Sequence, residues 1–157
     1  MKEKTCCFMG YINLKLYKLE SVLKRLSEEI DKLYDQGVTD FVSDGELSFG
    51  IIAASMIIDK RDEGKNIRLI FALSCKDQDK FWADNQKTAY RNLLVQADEI
   101  EYVSNEYSFN CEKRRDYYMI DMSAYCICAQ LSSRGGTART VNYAKQKGLQ
   151  IINVAKF

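Results

Sequence analysis

The stretch SSRGGTARTV, Ser132 to Val141, follows the apolar run YCICAQL and sets Gly135, Gly136 and Thr137 in a row. Glycines at a strand-to-helix turn let backbone approach a phosphate, and the first amides of the following helix are unpaired donors with partial positive charge. Thr137 can cap that helix or touch the anion itself. The same glycines also suit a short turn that needs positive φ, so the stretch alone reads either as a phosphate cradle or as a tight turn. Upstream, EKRRD carries Arg115. An arginine facing such a rim binds phosphate through two parallel donors, whereas in a solvated charge run it does nothing specific. The expectation taken here is a surface charge that recognises the ligand, with Arg114 left as plain surface. A third set lies in VSDGELSFG, where Ser43, Asp44, Gly45 and Glu46 follow an apolar run. Its two carboxylates can serve as a general acid or base, or simply accept hydrogen bonds from loop and helix amides.

These residues need elements to position them. The runs TCCFM, TDFVS, IRLIFAL, EIEYVS, YCICAQL and QIINV have strand length and composition. They predict strands at Cys6 to Gly10, Phe41 to Ser43, Arg68 to Leu73, Ile100 to Val103, Tyr125 to Gln130 and Ile151 to Val154. Between the first two, Leu19, Val22, Leu23, Leu26, Ile30 and Leu33 recur at helical spacing, and Gly37 stands as a C-cap. Further helical patterns run from about Leu47 to Glu63, Gln78 to Gln96, Cys111 to Met122 and Thr137 to Gln146, with Gly64 and Gly148 as stops. Tyr90, Leu93, Leu94 and Ala97 read as packing residues. Strands alternating with helices imply an α/β fold. The expectation is a single Rossmann-like three-layer domain over residues 1–157, with a mainly parallel sheet of about six strands and helices on both faces. Ligands of such sheets bind beyond the carboxyl ends of the strands, where strand order reverses. Small and polar residues collect there: Gly10 and Tyr11 after the first strand, SDGE after the second, SSRGGT after the fifth. Tyr11 is placed to stack on a base, and Trp82, Tyr107, Tyr117 and Tyr118 are further aromatic candidates.

Composition narrows the classes. Lys and Arg number 23 against 22 Asp and Glu, so no general field favours nucleic acid or an anionic membrane, and any anion site is local. No apolar stretch approaches the roughly 18 residues that span a bilayer, and MKEKTCC lacks a signal-peptide core; the reading is a cytoplasmic protein. The chain has no histidine, and Cys6, Cys7, Cys75, Cys111, Cys126 and Cys128 form no Cys-x-x-Cys, so neither a metal centre, a cofactor nor a disulfide framework is expected. Cys111, in the polar stretch SFNCEKRR, is expected as an exposed thiol near the site.

Three stretches together resemble the YpsA-like proteins of the SLOG superfamily, a Rossmann-type group that includes the LOG phosphoribohydrolases and the DNA-processing protein DprA. Cys111, Arg115, Asp116, Met119, Ile120, Asp121, Gly135, Gly136 and Thr137 fall on the family's Cys, Arg-Asn, Met-Val-Asp and Gly-Gly-Thr pattern, with Asp116 in place of asparagine. CCFMGY is similar to its Cys-Cys-Phe-Thr-Gly-His opening, and VSDGELSFGIIAA to its Gly-Gly-Ala-x-Gly-x-Asp loop. The resemblance implies a nucleotide or nucleotide-derived ligand held by Gly10, Tyr11, Ser43, Asp44, Gly45, Glu46, Arg115, Gly135, Gly136 and Thr137, as a sensor or regulatory module. It also implies a possible homodimer. LOG enzymes carry Pro-Gly-Gly-x-Gly-Thr-x-x-Glu; here Thr140 stands where that glutamate is sought, which places a LOG-like phosphoribohydrolase second. A scaffold acting through protein contacts is the third class.

Overall fold

The structure is a computed structural model that describes residues 2–12 and 16–156; Met1, residues 13–15 and Phe157 of the expected single domain lie outside the described residues. Strands β1 (Thr5–Gly10), β2 (Asp40–Ser43), β3 (Arg68–Leu73), β4 (Glu99–Tyr102), β5 (Tyr125–Ala129) and β6 (Gln150–Asn153) pair in the order β4-β3-β2-β1-β5-β6. Every pairing is parallel. Both faces of the central strands are apolar, as a sheet covered on both sides requires. Alternate side chains go to opposite faces: Cys6, Phe8, Phe41, Leu69, Phe71 and Ile127 join one core, and Cys7, Met9, Val42, Ile70, Cys126 and Cys128 the other.

Helices α1 (Leu16–Asp35), α2 (Phe49–Asp62) and α3 (Asp84–Gln96) cover the first face through Leu26, Ile30, Ile57 and Leu93. On the second face, α4 (Cys111–Asp121) and α5 (Gly136–Gln146) pack through Met119, Ile120, Val141 and Ala144. Each fully buried Leu or Ile contributes about 1.5–3 kcal/mol, so the amphipathic stripe of α1 is held mainly by this packing. Among the described residues, no helix is long and apolar enough to cross a membrane.

One helix starts later than its periodicity predicts. Residues 76–82 form turns, and α3 begins at Asp84, where the Gln86 side chain accepts a hydrogen bond from the Ala83 N–H at 3.0 Å. Gln78 is not helical because its side chain is engaged across loops, as described below.

Chain order reverses between β1 and β5, the point at which ligands of such sheets bind. Gly10 lies at that point with φ +137°, and a Cβ on it would lie 2.4 Å from the Ala129 carbonyl oxygen. Only glycine fits this approach. The next amide, that of Tyr11, donates to the same carbonyl at 3.3 Å.

Candidate functional site at the carboxyl rim

The loop after β2 is built around its own side chains. Ser43 Oγ donates to the Gly50 carbonyl at 2.7 Å and accepts from the Gly45 N–H at 3.1 Å, while Asp44 Oδ1 accepts from the Glu46 N–H at 2.9 Å. A Cβ at Gly50 would lie 2.0 Å from Asp44 Oδ1, so the glycine that opens α2 is what leaves room for the buried carboxylate. Ser48 ties this loop to the one after β1, its hydroxyl accepting from the Ile12 N–H and donating to the Ile12 carbonyl, each at 2.8 Å.

Arg115 reaches this loop from α4. It is 3% exposed, which corrects the expectation of a surface charge. Cys111, Arg115 and Met119 are spaced four apart on one helical stripe, and all three are buried against the sheet. Cys111 is therefore not an exposed thiol; it is 1% exposed. Arg115 Nη1 donates to Glu46 Oε1 at 2.8 Å, Nε donates to Asp116 Oδ1 at 3.1 Å, and Nη2 stands 4.0 Å from Asp44 Oδ2. Gln78 locks the arrangement. Its Nε2 donates to the Asp44 carbonyl at 2.9 Å, and its Oε1 accepts from the Ser74 N–H at 2.9 Å and lies 3.5 Å from Arg115 Nη1.

Three carboxylates thus share one guanidinium. Burial pushes Glu46 up, Arg115 pulls it back and Asp44 adds repulsion, leaving its pKa at about 7. The same balance takes Asp116 to about 6 and raises Asp44 above the usual carboxylate range, burial being the largest cause in both. Burial alone would lower the Arg115 pKa, but Asp44, Asp116 and Glu46 reverse this and hold it charged. Glu46, buried on one side and reachable on the other, can therefore take up or release a proton near neutrality.

The Gly-Gly-Thr stretch opens α5. Gly135 occupies the cap position with φ +97°, and no side chain caps the helix. The left-handed requirement falls on Gly135 alone; Gly136 is helical, and a Cβ on it would meet nothing nearer than Arg139 Nη2 at 4.0 Å. Thr137 lies inside the first turn and is not the cap. Asn110, at the start of α4, also offers no side-chain cap. The two open helix N-termini line one cavity of about 390 Å³, together with Lys113, Arg139, Tyr107, Phe109, Glu112 and Asp116. A second cavity, of about 460 Å³, is lined by Glu46, Gln78, Phe81 and Trp82 and shares Tyr107 and Glu112 with the first.

Of the residues singled out in the sequence, the structure brings Ser43, Asp44, Gly45, Glu46 and Arg115 into one cluster and sets Gly136 on the adjoining cavity. Gly135 and Thr137 flank Gly136. Gly10 packs on β5, and Tyr11, 63% exposed, lines neither cavity. Tyr117 stacks on Tyr143 at 3.8 Å between ring centroids, and Trp82 packs edge-on against Tyr90 at 4.9 Å. Tyr118, on α4, is partly exposed and lines neither cavity. Gln78, Phe109, Glu112, Lys113 and Arg139 were not visible as site residues; only the spacing of Arg139, one turn beyond Gly135, hinted at its position.

Residues 7–154 match the family model YpsA, described as the YspA SLOG family. The chain is 30% identical over 146 residues to the uncharacterized SPbeta prophage-derived protein YoqJ of Bacillus subtilis (strain 168), covering 85% of this chain and 84% of that one. Its fold is similar to DNA processing protein A from Helicobacter pylori, solved for its single-stranded DNA binding mode, with TM-score 0.65 and 17% identity over 96% of this chain and 64% of that one. DNA processing protein A from Streptococcus pneumoniae superposes with TM-score 0.65 and 12% identity, over 94% of this chain and 48% of that one. The chain spans about two thirds of the first structure and about half of the second.

Proposed function

We propose, for a chain that belongs to the YspA SLOG family, that the carboxyl rim binds a nucleotide or nucleotide-derived ligand as a sensing or regulatory module. The observation that carries this reading is the convergence of two uncapped helix N-termini on one cavity, with Lys113 and Arg139 beside them. Unpaired amides and helix dipoles favour an anion there, and the two cations add to the effect. Tyr107 and Phe109 supply aromatic faces at the same cavity. Arg115, already engaged by Glu46 and Asp116, positions those carboxylates rather than meeting the phosphate. A single nucleotide fits this rim better than a polyanionic strand, because Glu46, Glu112 and Asp116 stand among the cations.

The test is thermal unfolding with nucleoside monophosphates. At 100 times its dissociation constant a ligand stabilises the fold by about 2.7 kcal/mol, which raises the Tm by roughly 5–10 °C for a chain of this size. Gly136→Val should fold normally, since the nearest atom to its Cβ is the far end of the Arg139 side chain at 4.0 Å, and should lose the shift because the side chain fills the phosphate approach. Absence of any shift across mononucleotides, dinucleotides and ADP-ribose-type signals overturns the reading. A second reading, hydrolysis of the N-glycosidic bond of a nucleotide, is favoured by the position of Glu46, a carboxyl with a pKa of about 7 on a cavity wall. Free base released from nucleoside monophosphates, and lost in Glu46→Gln, would establish it.

A further inference from the structure

We infer that Asp116 is a ligand contact in its protonated form: a phosphate enters the first cavity together with one proton, which Asp116 holds and offers to it as a hydrogen bond. The inference rests on the phosphate reading of that cavity and adds to it a contact and a control by pH.

The walls of the cavity are balanced in charge before any ligand arrives. Lys113 and Arg139 line it against Glu112 and Asp116, and the open N-termini of α4 and α5 add partial positive charge. A phosphomonoester brings up to two negative charges into this space. Glu112 is exposed, so water screens it. Asp116 is better shielded, with its side chain 21% exposed, and the cation beside it is shared. Arg115 gives Nε to Asp116 Oδ1 at 3.1 Å and Nη1 to Glu46 Oε1 at 2.8 Å, and holds Nη2 4.0 Å from Asp44 Oδ2. One positive charge thus serves three carboxylates before the phosphate adds its own.

Like charges crowded into one site are relieved by taking up a proton. Asp116 is the group placed to do so, because Oδ1 is held by Arg115 while Oδ2 has no hydrogen-bond partner among the described residues. A carboxylate only accepts, whereas a carboxylic acid donates through its O–H, and such a bond to a phosphate oxygen is charge-assisted and strong. The proton comes from solvent, and no covalent bond of the ligand changes. Around Asp116 stand Arg115, Glu112 and Lys113 on its own helix, Asp44 and Glu46 from the loop after β2, and Arg139 from α5 on the shared cavity. Three of these are acidic and push the same way as the phosphate. Burial has already raised the Asp116 pKa to about 6, so the incoming charge has little further to move it for the proton to stay at neutral pH. Glu46, the other carboxyl poised near neutrality, lines the second cavity and not the first.

Isothermal titration of the full chain with AMP at pH 7 and pH 8 tests this, since most of the free phosphate is a dianion at both. Runs in buffers of different ionisation enthalpy count protons, and the wild type should take up close to one per AMP bound. Its affinity should fall about tenfold from pH 7 to pH 8, because both lie above the free pKa of about 6 and the required proton becomes tenfold scarcer. Asp116→Asn keeps an oxygen for Arg115 and presents an N–H where the acid presents its proton. It should bind AMP equally well at both pH values, with almost no proton uptake, and more tightly than the wild type at pH 8. Glu46→Gln should retain the uptake. If the wild type takes up no proton and its affinities agree within twofold, the protonated contact is refuted while the phosphate reading stands. The contact is refuted equally if Asp116→Asn keeps the uptake, which puts the proton on the phosphate, or if it binds no better than the wild type at pH 8. If neither protein binds AMP or inorganic phosphate, the phosphate reading falls with it.

Discussion

Replacing Arg115 with methionine should cost the unliganded protein about 3–5 kcal/mol, the usual penalty for stranding buried charge by removing one partner. The Arg115 side chain is 4% exposed, and its guanidinium touches Glu46 and Asp116 directly, with Asp44 at 4.0 Å. Without it, Asp44 and Asp116 lose their compensating charge while still buried, and methionine fills the volume without replacing a single donor. For a chain of 157 residues this corresponds to a fall in Tm of roughly 6–20 °C, at about 2–4 °C per kcal/mol. The loss must also depend on pH. At pH 8 all three carboxylates press to ionise without a cation; at pH 5 they take up protons and most of the repulsion disappears. Urea unfolding at both pH values, with the slope checked for constancy, reads the effect directly. A loss below about 1 kcal/mol, the same at pH 5 and pH 8, is what an ordinary surface charge gives, and it would refute the caged-arginine account.

The wild type should itself be more stable in mild acid. Glu46 and Asp116 have folded pKa values of about 7 and about 6, above their unfolded values, so between pH about 4 and 7 the folded state holds protons that the unfolded chain has released. Stability therefore falls as pH rises through this window, by roughly 1–3 kcal/mol once solvent screening at Glu46 is allowed for, as chemical denaturation at pH 5 and pH 8 would show. Gly10→Ala should destabilise by several kcal/mol or abolish folding, since its Cβ would meet the Ala129 backbone at 2.4 Å; soluble yield and circular dichroism check this. Burial raises the thiol pKa of Cys6 and pushes Cys128 up to about 11, while a hydrogen bond with Cys7 and then burial raise Cys126, so these cysteines should react with a thiol reagent only as fast as the fold opens.

Much of the architecture was legible because strands buried on both faces leave continuous apolar runs, and helices between them leave a different period. TCCFM and YCICA needed no further context. The start of α3 was not legible: Gln78 suits a helix, and nothing local says that its amide will be claimed by Asp44, 34 residues earlier. The Arg115 cage was half legible. Its inward direction is written in the spacing Cys111, Arg115, Met119, but EKRRD looks like any solvated charge run until that spacing is laid on a helix. Which carboxylates meet it depends on how the loop after β2 sits over α4, a relation between distant segments. Tyr107 was among the aromatic candidates, but the exposed rings of Phe81 and Phe109 were hidden for the opposite reason: a bare sequence gives an uncovered aromatic the same letter as a buried one.

The placement of β1 at the middle of the sheet also governs how the molecule comes together during synthesis. β1 can pair with β2 as soon as α1 and β2 have emerged, and β3 and β4 then add outward in chain order. Its other neighbour is β5, with Cys7 set against Cys126, so one edge of this buried apolar strand stays bare until most of the chain has been made. Closing so long a loop costs more entropy than any of the earlier pairings and belongs to the slow end of folding. A nascent or truncated chain ending before Tyr125 therefore presents TCCFM as an open strand edge, the kind of surface that draws chaperones or a second nascent chain.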